Sequence, residues 1–148
     1  MAVLIWWLIL LVGWEAFLLV EIPILLIACS AGVWLFYVQH NFDPTYWQRH
    51  GNWDFFQAGM DGSSFYKLPK VLQWFTGNIG FHHIHHLSPK IPNYKLEQCH
   101  NENPIFQIAP LTFKDSLKGL FLRLWDEKNK VLVGWEVLKQ YRRKVQTQ

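Results

Sequence analysis

Residues Ile22–Val38, IPILLIACSAGVWLFYV, are seventeen consecutive positions without a charge. A helix that crosses a bilayer needs about 20 mostly apolar residues. Phe17–Val20 extends the run, provided that Glu21 lies near an interface or pairs internally. Pro23 would fall in the first turn of such a helix, where its missing N–H costs little. Upstream, Ala2–Val12 is equally apolar but only eleven residues long, too short to span. It is expected to be half of a helical hairpin or the remnant of a longer helix. A signal peptide is not expected, because no basic region precedes the apolar run and no small-residue cleavage site follows it. The hydrophobic start instead suggests an N-terminus truncated relative to a functional protein.

Charge is distributed to match. Residues 1–48 contain no Lys or Arg, and their acids are Glu15, Glu21 and Asp43. From Asp43 onward there are fourteen basic and nine acidic residues, a net +5. Basic residues that follow a membrane segment mark the cytoplasmic side, so residues 39–148 are expected in the cytoplasm, or in the stroma of a plastid. Nine tryptophans in 148 residues fit a protein at a lipid–water boundary; a soluble protein with a Trp-rich core is the alternative that the charge layout disfavours. Cys29 and Cys99 fall in the apolar and polar parts and make a poor disulfide pair, so a reducing compartment is expected. The resulting division is 1–38, one or two transmembrane segments, and 39–148, a cap.

The cap is expected to be helical. Gln39–Gly62 suits short interfacial helices and loops, with turns at Asp43-Pro44 and Gly51-Asn52. Phe65–Phe81 has apolar residues at roughly helical spacing, broken by Pro69, Gly77 and Gly80. Asn93–Asn103 predicts a short helix stopped by Pro104. Thr112–Asp126 predicts an amphipathic helix capped by Thr112 and Asp115, with Phe113, Leu117, Leu120, Phe121 and Leu124 on one face. Lys128–Val133 is ambiguous between turn, strand and loop, and Gly134–Val145 predicts a last polar helix carrying Arg142-Arg143-Lys144. The fold class is thus all-α: a fragment of a membrane helical bundle with a cytoplasmic helical cap.

The chemistry lies in His82-His83-Ile84-His85-His86, four of the chain's seven histidines in five positions. On a helix, residues i, i+3 and i+4 share a face, so His82, His85 and His86 point together as candidate metal ligands. His83 lies about 100° away and is expected to support a ligand or face solvent. Ser88-Pro89 and Ile91-Pro92 end any helix soon after. Imidazole suits Zn, Cu, Fe and Ni, so ligand type alone names no metal. The box holds no carboxylate, which excludes H-E-x-x-H zinc hydrolases, the two-histidine-one-carboxylate iron site and carboxylate-bridged di-iron sites. His50 and His100 are expected at the surface or in hydrogen bonds. Asn78 and Asn93 either orient imidazoles or make turns.

Thr76–Leu96, TGNIGFHHIHHLSPKIPNYKL, resembles the third histidine box of the integral-membrane fatty acid desaturases, most closely the bacterial and plastid delta-12 (omega-6) type. Gly32–Trp47, GVWLFYVQHNFDPTYW, resembles that family's segment at the end of its last transmembrane helix. The two together cover most of the chain from about Ala31 to Leu96, and the rest more loosely. The resemblance implies a helical membrane bundle whose three histidine boxes hold two irons. These activate O2 and remove two hydrogens from an acyl chain. It also implies that His82, His85 and His86 are iron ligands, and that His40 matches an additional histidine near the metals.

The family's two earlier boxes are absent, since no histidine precedes His40. The resemblance is therefore to the C-terminal half of a desaturase, with an incomplete di-iron ligand set and no activity expected of the chain alone. Partners implied are a lipid acyl chain, O2, the membrane and an external electron donor, by resemblance a ferredoxin; nucleic acid is not among them. The sequence holds no flavin, haem or nicotinamide fingerprint. Two alternatives stay open: a related membrane di-iron hydroxylase or ketolase, and a non-catalytic membrane protein that kept one box.

Overall fold

A computed structural model describes residues 2–139 and Arg142. The chain divides into two units, Met1–Phe36 and Tyr37–Gln148.

The first unit is helical over its described length except at Gly13. Helix α1 (Ala2–Val12) ends at Gly13, whose φ of +82° is a conformation that favours glycine. Helix α2 (Trp14–His40) then runs for 27 residues and crosses into the second unit. Glu15 in its first turn favourably meets the positive end of the helix dipole. α2 starts eight residues before the expected segment. Pro23 consequently lies inside the helix rather than in its first turn. It removes one backbone hydrogen bond, a loss that the long apolar helix tolerates. The most apolar window of α2 has a mean hydropathy of 2.3, and none of it is buried. Such a surface is unfavourable in water and suits hydrocarbon. α2 is the one helix among the described residues that is long and apolar enough to cross a membrane.

The second unit is built from short elements. After a 3-10 turn at His50–Asn52 comes α3 (Phe55–Asp61), where the Asp54 carboxylate accepts the Gln57 amide at 2.8 Å as an N-cap. β1 (Phe65–Tyr66), α4 (Lys70–Phe75), α5 (His82–Leu87) and α6 (Asn93–Glu102) follow. A 3-10 turn at Pro104–Phe106 leads to β2 (Pro110–Leu111), which pairs in parallel with β1. α7 (Phe113–Gly119) and a hairpin of β3 (Leu124–Asp126) and β4 (Val131–Val133) complete the described elements. The class is all-α with two minimal ladders.

The core is small. Phe81, Ile84 and Leu96 are buried together, with Phe65, Ile91, Cys99 and Phe106 packed against them. No described tryptophan is buried, so the Trp-rich soluble core is not what the aromatic content builds. α5 sits at the centre. It packs on α3, where Gly59 lies directly against the Leu87 side chain, and against α6 and β1.

One expected helix is shorter than the sequence suggested. Thr112 caps α7 as expected, its hydroxyl accepting the Asp115 amide at 3.2 Å. The helix nevertheless ends at Gly119, and its expected continuation forms β3. The cause lies 78 residues away. Asn41 Nδ2 donates to the Gly119 carbonyl at 2.6 Å and the Leu122 carbonyl at 3.2 Å. The Asn41 backbone approaches so closely that a Cβ on Gly119 would lie 2.3 Å from its oxygen. Of the expected apolar face, Phe113, Leu117, Leu120 and Phe121 are exposed, and Leu124, which lies in β3, is half-buried. Residues 136–139 are helical, whereas Gly134 and Trp135, the expected start of the last helix, are not; of the remainder of the expected Gly134–Val145 helix, residues 140, 141 and 143–145 lie outside the described residues.

Candidate metal centre

The box folds as the six-residue helix α5, ended as expected ahead of Ser88-Pro89. Two of its histidines, one turn apart, meet a third from the end of α2. The Nε2 atoms of His40 and His86 are 3.0 Å apart, those of His86 and His82 3.1 Å, and those of His82 and His40 3.3 Å. Three ring nitrogens at the corners of one small triangle cannot all be satisfied by hydrogen bonds to each other, because each imidazole N–H points in a single direction. An ion satisfies them together. Nitrogens each about 2.0–2.1 Å from one metal lie about 2.8 to 3.4 Å apart, for right-angled to tetrahedral geometry. The donor set and spacing therefore fit a bound transition metal.

Electrostatics agree with the geometry. Burial first, and then the imidazoles of His86, His40, His85 and His83 in that order, lower the pKa of His82 to about 3. Burial, then His40 and His85, also lowers that of His86. Both rings are held neutral at physiological pH, with a lone pair available to a metal.

His85 is beside this triangle and not part of it. Its ring stacks on His82 with centroids 5.6 Å apart, at 19° between planes, and lies 6.1 Å from His86. Of the four expected ligands, the structure draws three to one point and leaves the fourth adjacent.

The other histidines take separate positions. His83 does not face solvent: it is fully buried, and its Nε2 lies 2.9 Å from the Phe106 carbonyl. Burial lowers its pKa to about 4, against the opposing effect of that carbonyl. His100 is not a surface residue either. It is buried, packed on Phe65 at 4.5 Å and Phe81 at 5.1 Å, with its ring edge-on to His83 at 5.7 Å. The side of α5 that carries His83 is thus part of the core. His50 is exposed. Asn78 and Asn93 make a turn rather than orienting imidazoles: Asn78 has φ +58° and donates to the Asn93 carbonyl at 3.1 Å.

Gln39 and Asn41, the neighbours of His40, are the residues that sequence reasoning missed. Gln39 is buried and donates from Nε2 to the Ile79 carbonyl at 2.7 Å. Asn41, besides its bonds to the chain after α7, contacts the Tyr37 hydroxyl at 2.7 Å. Both lie in the Gly32–Trp47 segment that carries the resemblance, and their position there beside His40 was the available signal.

Comparison with known proteins places this arrangement. The sequence profile of the fatty acid desaturase family matches residues 1–111. A protein of Bacillus subtilis (strain 168) named "Fatty acid desaturase" is 57% identical over 128 residues, which is 86% of this chain and 36% of that protein. The chain thus spans about a third of that relative's length. No solved structure matches. With three quarters of its length inside the profile match, the chain belongs to the fatty acid desaturase family.

Proposed function

We propose that the chain supplies the third-box portion of a fatty acid desaturase that uses O2 and a histidine-ligated di-iron centre to introduce a cis double bond into an acyl chain. The observation that carries this reading is the convergence of the His40, His82 and His86 Nε2 atoms, contributed by two segments 42 residues or more apart. When bound, the irons supply the dioxygen chemistry that abstracts hydrogen from an unactivated chain. The protein's part is to hold and shield them. His40, His82 and His86 hold one ion through neutral imidazoles. His85, on the same helix but outside the triangle, is available to a second. Phe81, Ile84 and His83 pack behind the box and keep water from its rear. His82 Nδ1 is buried and meets no hydrogen-bond partner among the described residues. Metal-bound histidines ordinarily donate from this nitrogen, and an acceptor from further chain or from water would complete the site.

Two irons require more ligands than four histidines provide, so the 148 residues alone are expected to be inactive. Residues 1–38 are assigned to the membrane and 39–148 to a cap on the cytoplasmic or stromal side, on the strength of the basic residues after α2. The same net +5 suits an acidic external electron donor such as a ferredoxin.

A chimera provides the test. In the Bacillus subtilis relative, the matching 128-residue segment is replaced by this chain, and cellular lipids are analysed. New cis double bonds, lost on His40→Ala, His82→Ala or His86→Ala, are the expected result. Hydroxylated or ketonic products would instead favour an oxygenase, and iron-free protein without product would favour the non-catalytic reading.

A further inference from the structure

The geometry points to Gln39 as a positioning residue for His40: its carboxamide ties the end of α2 to the chain that launches the histidine box. This inference rests on the metal-site reading above and adds a residue that no ligand count includes.

His40 has no helical relation to His82 and His86. It stands 42 residues before the box, at the last position of α2. Its ring meets theirs to within 0.3 Å of equal spacing, the three separations being 3.0, 3.1 and 3.3 Å. Something must fix the distance between the two segments, and the buried polar residue next to His40 does so. Gln39 is 1% exposed and sits beside Val38, which is fully buried. Packing alone would be served by an apolar side chain there. A buried amide costs free energy unless it is hydrogen-bonded, and this one spends its N–H on the Ile79 carbonyl at 2.7 Å, three residues ahead of His82.

The backbone completes the frame. The Gln39 carbonyl accepts the Ser64 amide at 3.1 Å, and Tyr66, two residues on, donates its amide to the Gly80 carbonyl at 2.7 Å. Successive carbonyls before the box, Ile79 and Gly80, are therefore pinned: one by the segment that carries His40, the other by β1. Gly80 comes so close that a Cβ there would lie 2.4 Å from the Tyr66 oxygen. On the other side of His40, Asn41 holds the Gly119 and Leu122 carbonyls. In the triplet Gln39-His40-Asn41, both flanking side chains are anchored to different parts of the unit, and the central imidazole is presented between them.

The test uses the 148-residue chain in detergent micelles with Co2+ as the probe, whose visible absorption reports ligand number and geometry. Gln39→Met keeps the length and removes the donor; Gln39→Asn keeps the amide but is one methylene too short to reach Ile79. Both are expected to weaken Co2+ binding roughly 10- to 100-fold, the usual effect of losing a group that orients a metal ligand, and to shift the absorption toward that of His40→Ala. In the His40→Ala background, Gln39→Met should cause no further loss, because a residue acting through His40 has nothing left to position. A loss of equal size in both backgrounds, or wild-type affinity and spectrum in both Gln39 variants, would overturn the role of Gln39 while leaving the metal site intact. Absence of Co2+ uptake by the unaltered chain would remove the site itself, and the inference with it. Circular dichroism identifies a variant that fails to fold, and the remaining Gln39 variant then decides.

Discussion

At the scale of single residues, the two sides of α5 do opposite work. His82 and His86 face His40, whereas His83 is buried against Phe106 and His100. His85, beside His82 and outside the triangle, gives a test. His82→Ala should abolish binding of a single Co2+ by the chain, a loss of roughly 100-fold or more. His85→Ala should leave that binding nearly unchanged and yet abolish desaturation in the chimera. Equal loss of metal in both would place His85 inside the first site.

The buried histidines also set a pH dependence for the metal-free chain. The folded-state pKa of His83 is lowered to about 4 and that of His82 to about 3, both below the ordinary 6.5. Between these values the unfolded chain binds protons that the folded chain refuses. Stability should therefore be constant above about pH 7 and fall as the pH drops from about 6.5 toward 4. His83 contributes on the order of 3 kcal/mol to that fall. Thermal unfolding between pH 7.5 and 4 measures it, and His83→Gln should flatten the slope. A melting temperature that is level over this range would contradict the burial.

At the scale of elements, the unit depends on close approaches between backbones. Gly80 and Gly59 lie on either side of the box, with different surroundings. A Cβ on Gly80 meets the Tyr66 backbone oxygen at 2.4 Å, and one on Gly59 meets the end of the Leu87 side chain at 2.6 Å. Gly80→Ala should cost about 1–3 kcal/mol and weaken metal binding, because strand β1 cannot yield without moving the box. Gly59→Ala should cost less, since Leu87 can change rotamer. Denaturant unfolding of the two variants ranks them, and the reverse order would contradict the packing.

Elements whose causes are local were visible in the sequence: α5 between Phe81 and Ser88-Pro89, α6 ahead of Pro104, and the Thr112 cap. The early end of α7 was not, because the residue that stops it, Asn41, is 78 positions away. The site divides in the same way. The i, i+4 pair His82 and His86 follows from helical periodicity, and His40 from a resemblance. Gln39 looks like any polar residue at a helix end until Ile79 is placed beside it. For His83 and His100 the sequence leaves exposed and partnered roles open until Phe65 is placed beside both.

At the scale of the molecule, the described residues combine a helix whose most apolar stretch is nowhere buried and a unit whose own core is a few side chains. α2 carries Cys29, exposed and within the apolar stretch. In proteoliposomes of a Cys99→Ser variant, Cys29 should resist a charged, membrane-impermeant maleimide and react only after solubilisation. Labelling in intact vesicles at the rate of a free thiol would contradict a membrane-spanning α2.

The central claim is that His40, His82 and His86 share one metal ion. X-ray absorption of the Co2+-loaded chain tests it most directly, by counting metal per chain and imidazoles per metal. About one ion per chain with three imidazoles, falling to two in His40→Ala, is the result predicted. No uptake, or an imidazole count unchanged by the loss of His40, would contradict it.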